Sequence, residues 1–239
     1  MRPESQSSNP HTLKSTGKSR VLIVDDHPLV RHGMAQLINQ EADLHICCEA
    51  GNAEEAMEAT CNCTHDLAIV DISMEGISGI ELVKALKAKN GNLPVLVISM
   101  HDESLYAERA LRAGAKGYVM KQEAPETILT AIRQILRGNI HVSDRIRDKM
   151  LRQITEGPQA DASPLDKLGD RELEVIQLIG QGFRTVEIAE RLNRSIKTIE
   201  AHRANLKKKL ALKNGAELLH FAVQWTTRSG TAGPDGPGE

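Results

Sequence analysis

Aromatic residues are nearly absent, with one Trp, two Tyr and two Phe in 239 residues, so Ala and the aliphatic side chains must fill the core. Long hydrophobic runs are missing too. No apolar stretch approaches the roughly 18 residues that span a bilayer, and the N-terminus is polar where a secretory signal needs its hydrophobic segment. The chain is therefore expected to be soluble and cytoplasmic, with no membrane partner. Cysteine is scarce and clustered: Cys47, Cys48, Cys61 and Cys63 make a poor disulfide framework for a chain of this length and are read as reduced. A zinc site built on Cys61-x-Cys63 with His65 lacks the C-x2-C pairs of common structural sites. Net charge is also small, at −2. With 40 % hydrophobic and 26 % charged residues, the composition excludes a fibrous or wholly disordered chain. The length accommodates two modest domains or one large one.

The small net charge hides an asymmetry. Residues 20–137 hold eleven Lys and Arg against seventeen Asp and Glu, whereas residues 191–213 hold eight basic residues against the single acid Glu200. An acidic half can hold a cation, and a compact basic block most often meets phosphate.

Residues 1–19 and 228–239 lack apolar periodicity and are expected to be a disordered arm and tail. Between 20 and 138, short β-branched runs at 21–24, 44–48, 67–70, 95–98 and 118–119 alternate with helical patterns at 28–40, 53–61, 79–89, 103–113 and 125–137. Strands that read as continuous apolar runs are buried on both faces, which implies a parallel sheet covered by helices. The expected fold is α/β, a doubly wound five-stranded parallel sheet of flavodoxin-like order 2-1-3-4-5, linked to a small all-α helix-turn-helix domain. Residues 139–167 read as a linker with one charged helix at 144–154 and a flexible stretch at 155–164. From 168 to 227 everything looks helical.

In such a sheet Asp25 and Asp26 follow the first strand and Asp71 the third. The three carboxylates converge at the topological switch point where open α/β sheets bind ligands. Crowded carboxylates repel one another and favour a hard divalent cation; Mg2+ is the candidate. Ser99 ends the fourth strand and Lys121 follows the fifth, adding a hydroxyl and an ammonium. That set suits a phosphoryl group, with Asp71 as nucleophile and Asp25 and Asp26 on the metal. Met74, Met100 and Met120 near this rim read as gap-fillers, and His27 and His101 as exposed.

The residues also carry a resemblance. Asp25-Asp26-His27, Asp71-Ile72-Ser73-Met74-Glu75-Gly76-Ile77-Ser78-Gly79, Ser99-Met100-His101 and Gly117-Tyr118-Val119-Met120-Lys121 resemble the receiver domain of bacterial two-component response regulators. The resemblance implies that Asp71 accepts phosphate from a sensor histidine kinase and that Asp25, Asp26, Asp71 and the Ser73 backbone carbonyl bind Mg2+. It further implies that Ser99 and Tyr118 switch rotamer and that Lys121 pairs with the phosphoryl group. Glu75 departs from the family, which carries Pro there. The loop loses a fixed φ and gains a negative charge that either alters metal affinity and phosphoryl lifetime or faces solvent without effect.

The basic block sits on a helix that Ser195 can cap, preceded by a shorter helix and a tight turn, an arrangement able to enter a DNA major groove. Leu168 to Val175, Glu187 to Leu192 and Ser195 to Leu210 closely resemble the LuxR-type helix-turn-helix domain, and its pairing with a receiver is the NarL/FixJ type of response regulator. Gly169 replaces the usual Thr cap, and Arg184-Thr185 the usual Ser-Asn. The resemblance implies binding to double-stranded DNA as a homodimer formed on phosphorylation, with RNA polymerase a further candidate partner. Lys197, Thr198, Ala201 and His202 should face the groove, with Lys207 and Lys208 further along, Arg203 at the edge and Glu200 as a tuning site. In unphosphorylated relatives the receiver can cover the DNA-reading helix, and the opposite charges of the two regions suit such docking here. A regulator rather than an enzyme is expected. Two alternatives remain: a Mg-dependent aspartyl-phosphate phosphotransferase, which would normally need a general acid where Ser73 stands, and a phosphate sink whose helical domain binds protein.

Overall fold

The computed structural model describes residues 17–74, 76–156 and 164–230. Five strands, β1 (Ser19–Val24), β2 (Leu44–Ala50), β3 (Leu67–Val70), β4 (Val95–Ser99) and β5 (Gly117–Met120), form one parallel sheet in the order β2-β1-β3-β4-β5. This is the expected order. Helices α1 (Pro28–Asn39), α2 (Ala53–Asn62), α3 (Gly79–Lys89), α4 (Glu103–Ala113) and α5 (Pro125–Leu136) supply the crossovers. Their starts are locally encoded. Pro28 and Pro125 stand in the first turns of α1 and α5, where a missing N–H is harmless. Ser78 and Glu81 close a capping box on α3, and the Asn52 and Asp102 side chains cap α2 and α4.

The sheet separates two apolar layers. Val21, Ile23, Ile69, Leu96 and Ile98 pack against Ile38 of α1 and Ile128, Ile132 and Ile135 of α5. Leu22, Val24, Val70, Val95 and Val97 pack against Ala56 of α2, Leu82 and Leu86 of α3, and Ala107 and Ala110 of α4. Small Ala residues where helices meet the sheet make the scarcity of aromatics workable.

The edge strand β2 breaks its own alternation. Val21 pairs with Ile46, but Leu22 pairs with Cys48, so Cys47 is an extra residue opposite β1, a β-bulge. Before the bulge Leu44 and Ile46 face the α1/α5 layer; after it Cys48 and Ala50 face the other. Adjacent strand residues normally point to opposite faces, and the bulge relaxes that rule at Cys47-Cys48.

Beyond α5, the linker residue His141 bridges to the β5 edge through His141 N to Lys116 O, 2.9 Å, and Tyr118 N to His141 O, 3.0 Å. Helix α6 (Asp144–Glu156) then lies on α4, burying Ile146. A 3-10 turn, Pro164–Lys167, leads into α7 (Asp170–Gly180), α8 (Thr185–Arg191), α9 (Ile196–Lys209) and α10 (Gly215–Gly230). Leu173, Ile176, Ile188, Ile199, Leu206, Leu218 and Ala222 form their core, which is continuous with the α3/α4 layer of the sheet domain. Several element ends differ from the sequence reading by a residue or two, and three elements run into stretches read as unstructured. Strand β1 begins at Ser19, inside the stretch expected as an arm. Helix α6 extends to Glu156, into the expected flexible stretch, and α10 extends to Gly230. The arm over 1–16, the linker over 157–163 and the tail over 231–239 lie outside the described residues.

Gly79 opens α3 directly against the end of β3: a Cβ there would overlap the Asp71 carbonyl oxygen and sit 2.7 Å from its carbon. Gly79→Ala must push the helix start and the strand end apart. It should lower stability by about 1–3 kcal/mol, read as a lower urea midpoint with an unchanged slope.

Candidate functional site

The carboxyl ends of β1, β3, β4 and β5 converge on one pocket. Asp25 and Asp71 are each only 3 % exposed. The Lys121 ammonium lies between them, 2.7 Å from Asp25 Oδ2 and 2.8 Å from Asp71 Oδ2. Asp25 Oδ1 also accepts from the His27 backbone N–H at 2.9 Å, and Asp26 Oδ1 lies 2.7 Å from His27 Nδ1. Carboxylate oxygens of Asp25, Asp26 and Asp71, with a ring nitrogen of His27, all lie within 4.8 Å of one another. The second oxygen of Asp71, Oδ1, is buried without a hydrogen-bond partner. A buried, unsatisfied carboxylate oxygen among further acids fits a divalent cation or an incoming phosphorus atom.

Electrostatics support that use. Burial pushes the Asp71 carboxyl up to about 6, against the pull of Lys121, and the neighbouring Asp25 and Asp26 add to the rise. A cation at Oδ1 would hold it ionised, the form that attacks phosphorus. Burial works against the Lys121 charge, yet Asp71 and Asp25 together carry its pKa above the ordinary lysine value. Ser99 is fully buried and its hydroxyl accepts from His101 N at 3.2 Å. Tyr118 points inward: its hydroxyl donates to the His101 carbonyl at 2.7 Å and lies in hydrogen-bonding reach of Ser99. Ser73 follows in the β3–α3 loop, its hydroxyl 2.6 Å from His101 Nε2. Glu75 is outside the described residues.

The second candidate surface is α8-turn-α9. Asn193 takes a positive φ of 47° in the turn, and Ser195 caps α9 by accepting from Thr198 N at 3.1 Å. Lys197, Glu200, Ala201 and Lys208 are exposed, Thr198, Arg203 and Lys207 half-buried. His202 is half-buried as well; burial lowers its pKa, and the charges of Glu172, Arg171 and Arg194 act on it. Lys209 turns back to Glu172 Oε2 at 2.6 Å, which also accepts from Gly169 N at 2.8 Å and so completes the helix start that lacks a side-chain cap.

Comparison with known proteins bears on both surfaces. Residues 21–133 match the response regulator receiver domain, and residues 166–222 match the bacterial regulatory proteins of the luxR family. The oxygen regulatory protein NreC of Staphylococcus carnosus is 31 % identical over 210 residues, 86 % of this chain and 97 % of that one. The chain belongs to the response regulators that join a receiver to a LuxR-type domain. RcsB of Salmonella enterica serovar Typhimurium, solved on promoter rprA with the phosphomimetic BeF3-, aligns with a TM-score of 0.56 and 28 % identity over 87 % of this chain and 99 % of that one. A LuxR-family regulator from Aurantimonas sp. SI85-9A1 gives a TM-score of 0.54 and 32 % identity over 58 % of this chain and 99 % of that one.

In this response regulator the two domains touch through Arg171, Arg194 and Arg109, to which the sequence reading gave no role. Arg171 of α7 donates to Met74 O at 2.5 Å and Gly76 O at 3.3 Å, and Arg194 of the α8–α9 turn also donates to Gly76 O. Arg109 of α4 donates to Leu165 O, Leu168 O and Asp170. His101, expected to be exposed, is instead wedged between the domains. It contacts Ser73 and Gln177 Oε1 (3.2 Å) and stacks on Tyr106 with ring centroids 4.6 Å apart. Burial drops its pKa to about 4, so the ring is neutral. The expectation failed because Ser73 and Gln177, which close over the ring together with Tyr106, are distant in sequence. Met100 is 57 % exposed and fills no gap, whereas Met74 and Met120 pack into the core as expected. His27 is exposed as expected.

Lys121→Ala leaves two buried carboxylates without their counter-charge. The variant should lose roughly 3 kcal/mol of stability in chelator. Added divalent cation should restore more stability to it than to the wild type, as thermal unfolding with and without the cation would show.

Proposed function

We propose that this chain is a transcription regulator controlled by phosphorylation of Asp71, with a sensor histidine kinase as donor and double-stranded DNA as target. The observation that carries the reading is the pairing of a buried, unpartnered Asp71 Oδ1 with a lysine ammonium that already holds the other oxygen. Asp71 attacks phosphorus and forms an acyl phosphate; the imidazole nitrogen of the donor departs with the bonding pair and takes up a proton. Asp25, Asp26, Asp71 and the Ser73 carbonyl would hold Mg2+, which when bound supplies positive charge to the phosphoryl oxygens. Lys121 neutralises an oxygen of the product, and the Ser99 hydroxyl donates to another once it turns toward the pocket. Tyr118, already buried with its hydroxyl on the His101 carbonyl, readjusts as Ser99 turns.

An enzyme with its own turnover is not favoured. The position two residues after Asp71 is Ser73, a hydroxyl held by His101, with no carboxylic acid to protonate a leaving group. Among the described residues no helix is long and apolar enough to cross a membrane, and a DNA target agrees with a cytoplasmic location. DNA binding is supported by the exposed basic side chains of α9 and by the RcsB neighbour solved on promoter DNA. Another RcsB structure holds two dimers on two DNAs, which supports a homodimer here. Lys197, Thr198, Glu200, Ala201, His202 and Arg203 then form the groove-facing region, with Lys207 and Lys208 on phosphate and RNA polymerase a further partner. The receiver is read as 20–138 and the DNA-binding domain as 168–227, with β1 starting one residue before the first and α10 running three residues past the second.

A small-molecule phosphodonor with Mg2+ should label the wild-type protein through an acid-stable, alkali-labile bond and leave Asp71→Asn unlabelled. Equal labelling of the variant contradicts the assignment. Lys208→Ala should weaken binding to all DNA sequences alike and reduce the salt slope by about one unit, as a lost phosphate contact does. Altered base preference at unchanged slope would place Lys208 on a base instead.

A further inference from the structure

A second group of metal-ligating side chains lies away from the acidic pocket, on the edge strand β2 and the loop that enters β3. The Cys47 and Cys48 sulfurs and a ring nitrogen of His65 lie within 4.8 Å of one another. Cys48 is in hydrogen-bonding reach of both Cys47 and Cys63. The β-bulge makes this possible: in a regular strand Cys47 and Cys48 would point to opposite faces of the sheet, and the extra residue brings both sulfurs to one cluster. His65 Nε2 is shielded from solvent and has no hydrogen-bond partner.

We propose that Cys47, Cys48, Cys63 and His65 form a binding site for a thiophilic cation, Zn2+, that ties the edge strand to the segment entering β3. Three sulfurs and one imidazole are a common donor set for tetrahedral zinc. Such a centre, with Zn–S bonds near 2.3 Å, spaces its donors about 3.5–3.8 Å apart, so Cys47, Cys48 and His65 close with side-chain shifts of about one ångström, and Cys63, which reaches Cys48, must turn further inward to complete the set. On binding, three thiol protons pass to solvent; the thiolates and the imidazole lone pair then take the four positions, for a net charge of −1. Arg20, whose guanidinium donates to Thr64 at 3.0 Å and whose charge acts on Cys47, Cys48 and Cys63, stands ready to neutralise that charge. Cys47 now spends its thiol on the Val21 carbonyl at 3.6 Å, a contact weak enough to give up. Burial and the Arg20 charge keep His65 in the neutral, ligating form.

The pairing suggested by spacing alone, Cys61-x-Cys63, is not what the fold assembles. Cys61 lies on α2 and accepts from Lys89 Nζ at 2.7 Å. A disulfide between Cys48 and Cys63 would use two of the three sulfurs and leave His65 Nε2 unsatisfied.

The test is Zn2+ competition against a chromogenic chelator on the reduced full-length protein, with excess Mg2+ to keep the ion off the carboxylates. Co2+ spectra of the same samples report thiolate ligation. One equivalent of Zn2+ should bind, with a cobalt–thiolate charge-transfer band. His65→Ala and Cys63→Ser, both at partly exposed positions, should weaken binding by more than the roughly 10–100-fold that loss of an outer-shell group brings. Cys61→Ser should bind like the wild type. Far-UV circular dichroism and phosphodonor labelling of Asp71 show whether each variant is folded. Four results would each overturn the proposal: no charge-transfer band, undiminished binding by folded His65→Ala, equal loss in Cys61→Ser, or displacement of Zn2+ by Mg2+.

Discussion

The β3–α3 loop is held at both ends by charges that belong to different domains. At its start, Lys121 from the end of β5 clamps Asp71 to Asp25. Five residues later, the Gly76 carbonyl accepts from Arg171 and Arg194 of the helical domain. Gly79 ends the loop with its Cα against the Asp71 carbonyl, so a shift at Asp71 has little slack to dissipate in before it reaches the arginines.

A second route runs beside the first. His101 follows Ser99 by two residues, offers its carbonyl to Tyr118, and places its ring between Ser73 of the loop and Gln177 of α7. Under the proposed reading, the phosphoryl group adds about −1.5 to −2 charge at Asp71 and draws the Ser99 hydroxyl toward it. Turning Ser99 and Tyr118 disturbs the hydrogen bonds that seat His101, and His101 is one of the groups on which the helical domain rests. The docked arrangement has weak points of its own. Tyr106 OH and Glu174 Oε1 are buried at this junction without hydrogen-bond partners, and burial raises the pKa of Glu174 despite its pairing with Arg171. Unsatisfied buried groups make an interface easier to open.

Much of this was legible in the residues. Apolar runs without alternation imply strands buried on both faces, and acids placed directly after those runs must meet at one rim of the sheet; the order and the pocket followed from that. The helix-turn-helix was readable because its caps and turn are local. What was hidden depends on contacts across the chain. His101 reads as an ordinary exposed residue until α7 covers it. Nothing in the residues marks Glu172 and Glu174 as buried, yet they are 6 % and 1 % exposed; Lys209 and the Gly169 amide pair with Glu172, and Arg171 holds one oxygen of Glu174. The β2 bulge leaves no local signal, because no residue type marks where an edge strand takes its extra residue. It nevertheless decides which cysteines meet.

The central claim is that the chemical state of Asp71 governs how firmly the β3–α3 loop holds the helical domain. Hydrogen–deuterium exchange of the full-length protein, with and without phosphodonor and Mg2+, tests it most directly. Amides in residues 72–78 and 170–178 should exchange faster together when Asp71 is phosphorylated, and Asp71→Asn should show no change. Unchanged exchange in both segments while DNA affinity rises on phosphorylation would contradict the account and move control to receiver dimerisation.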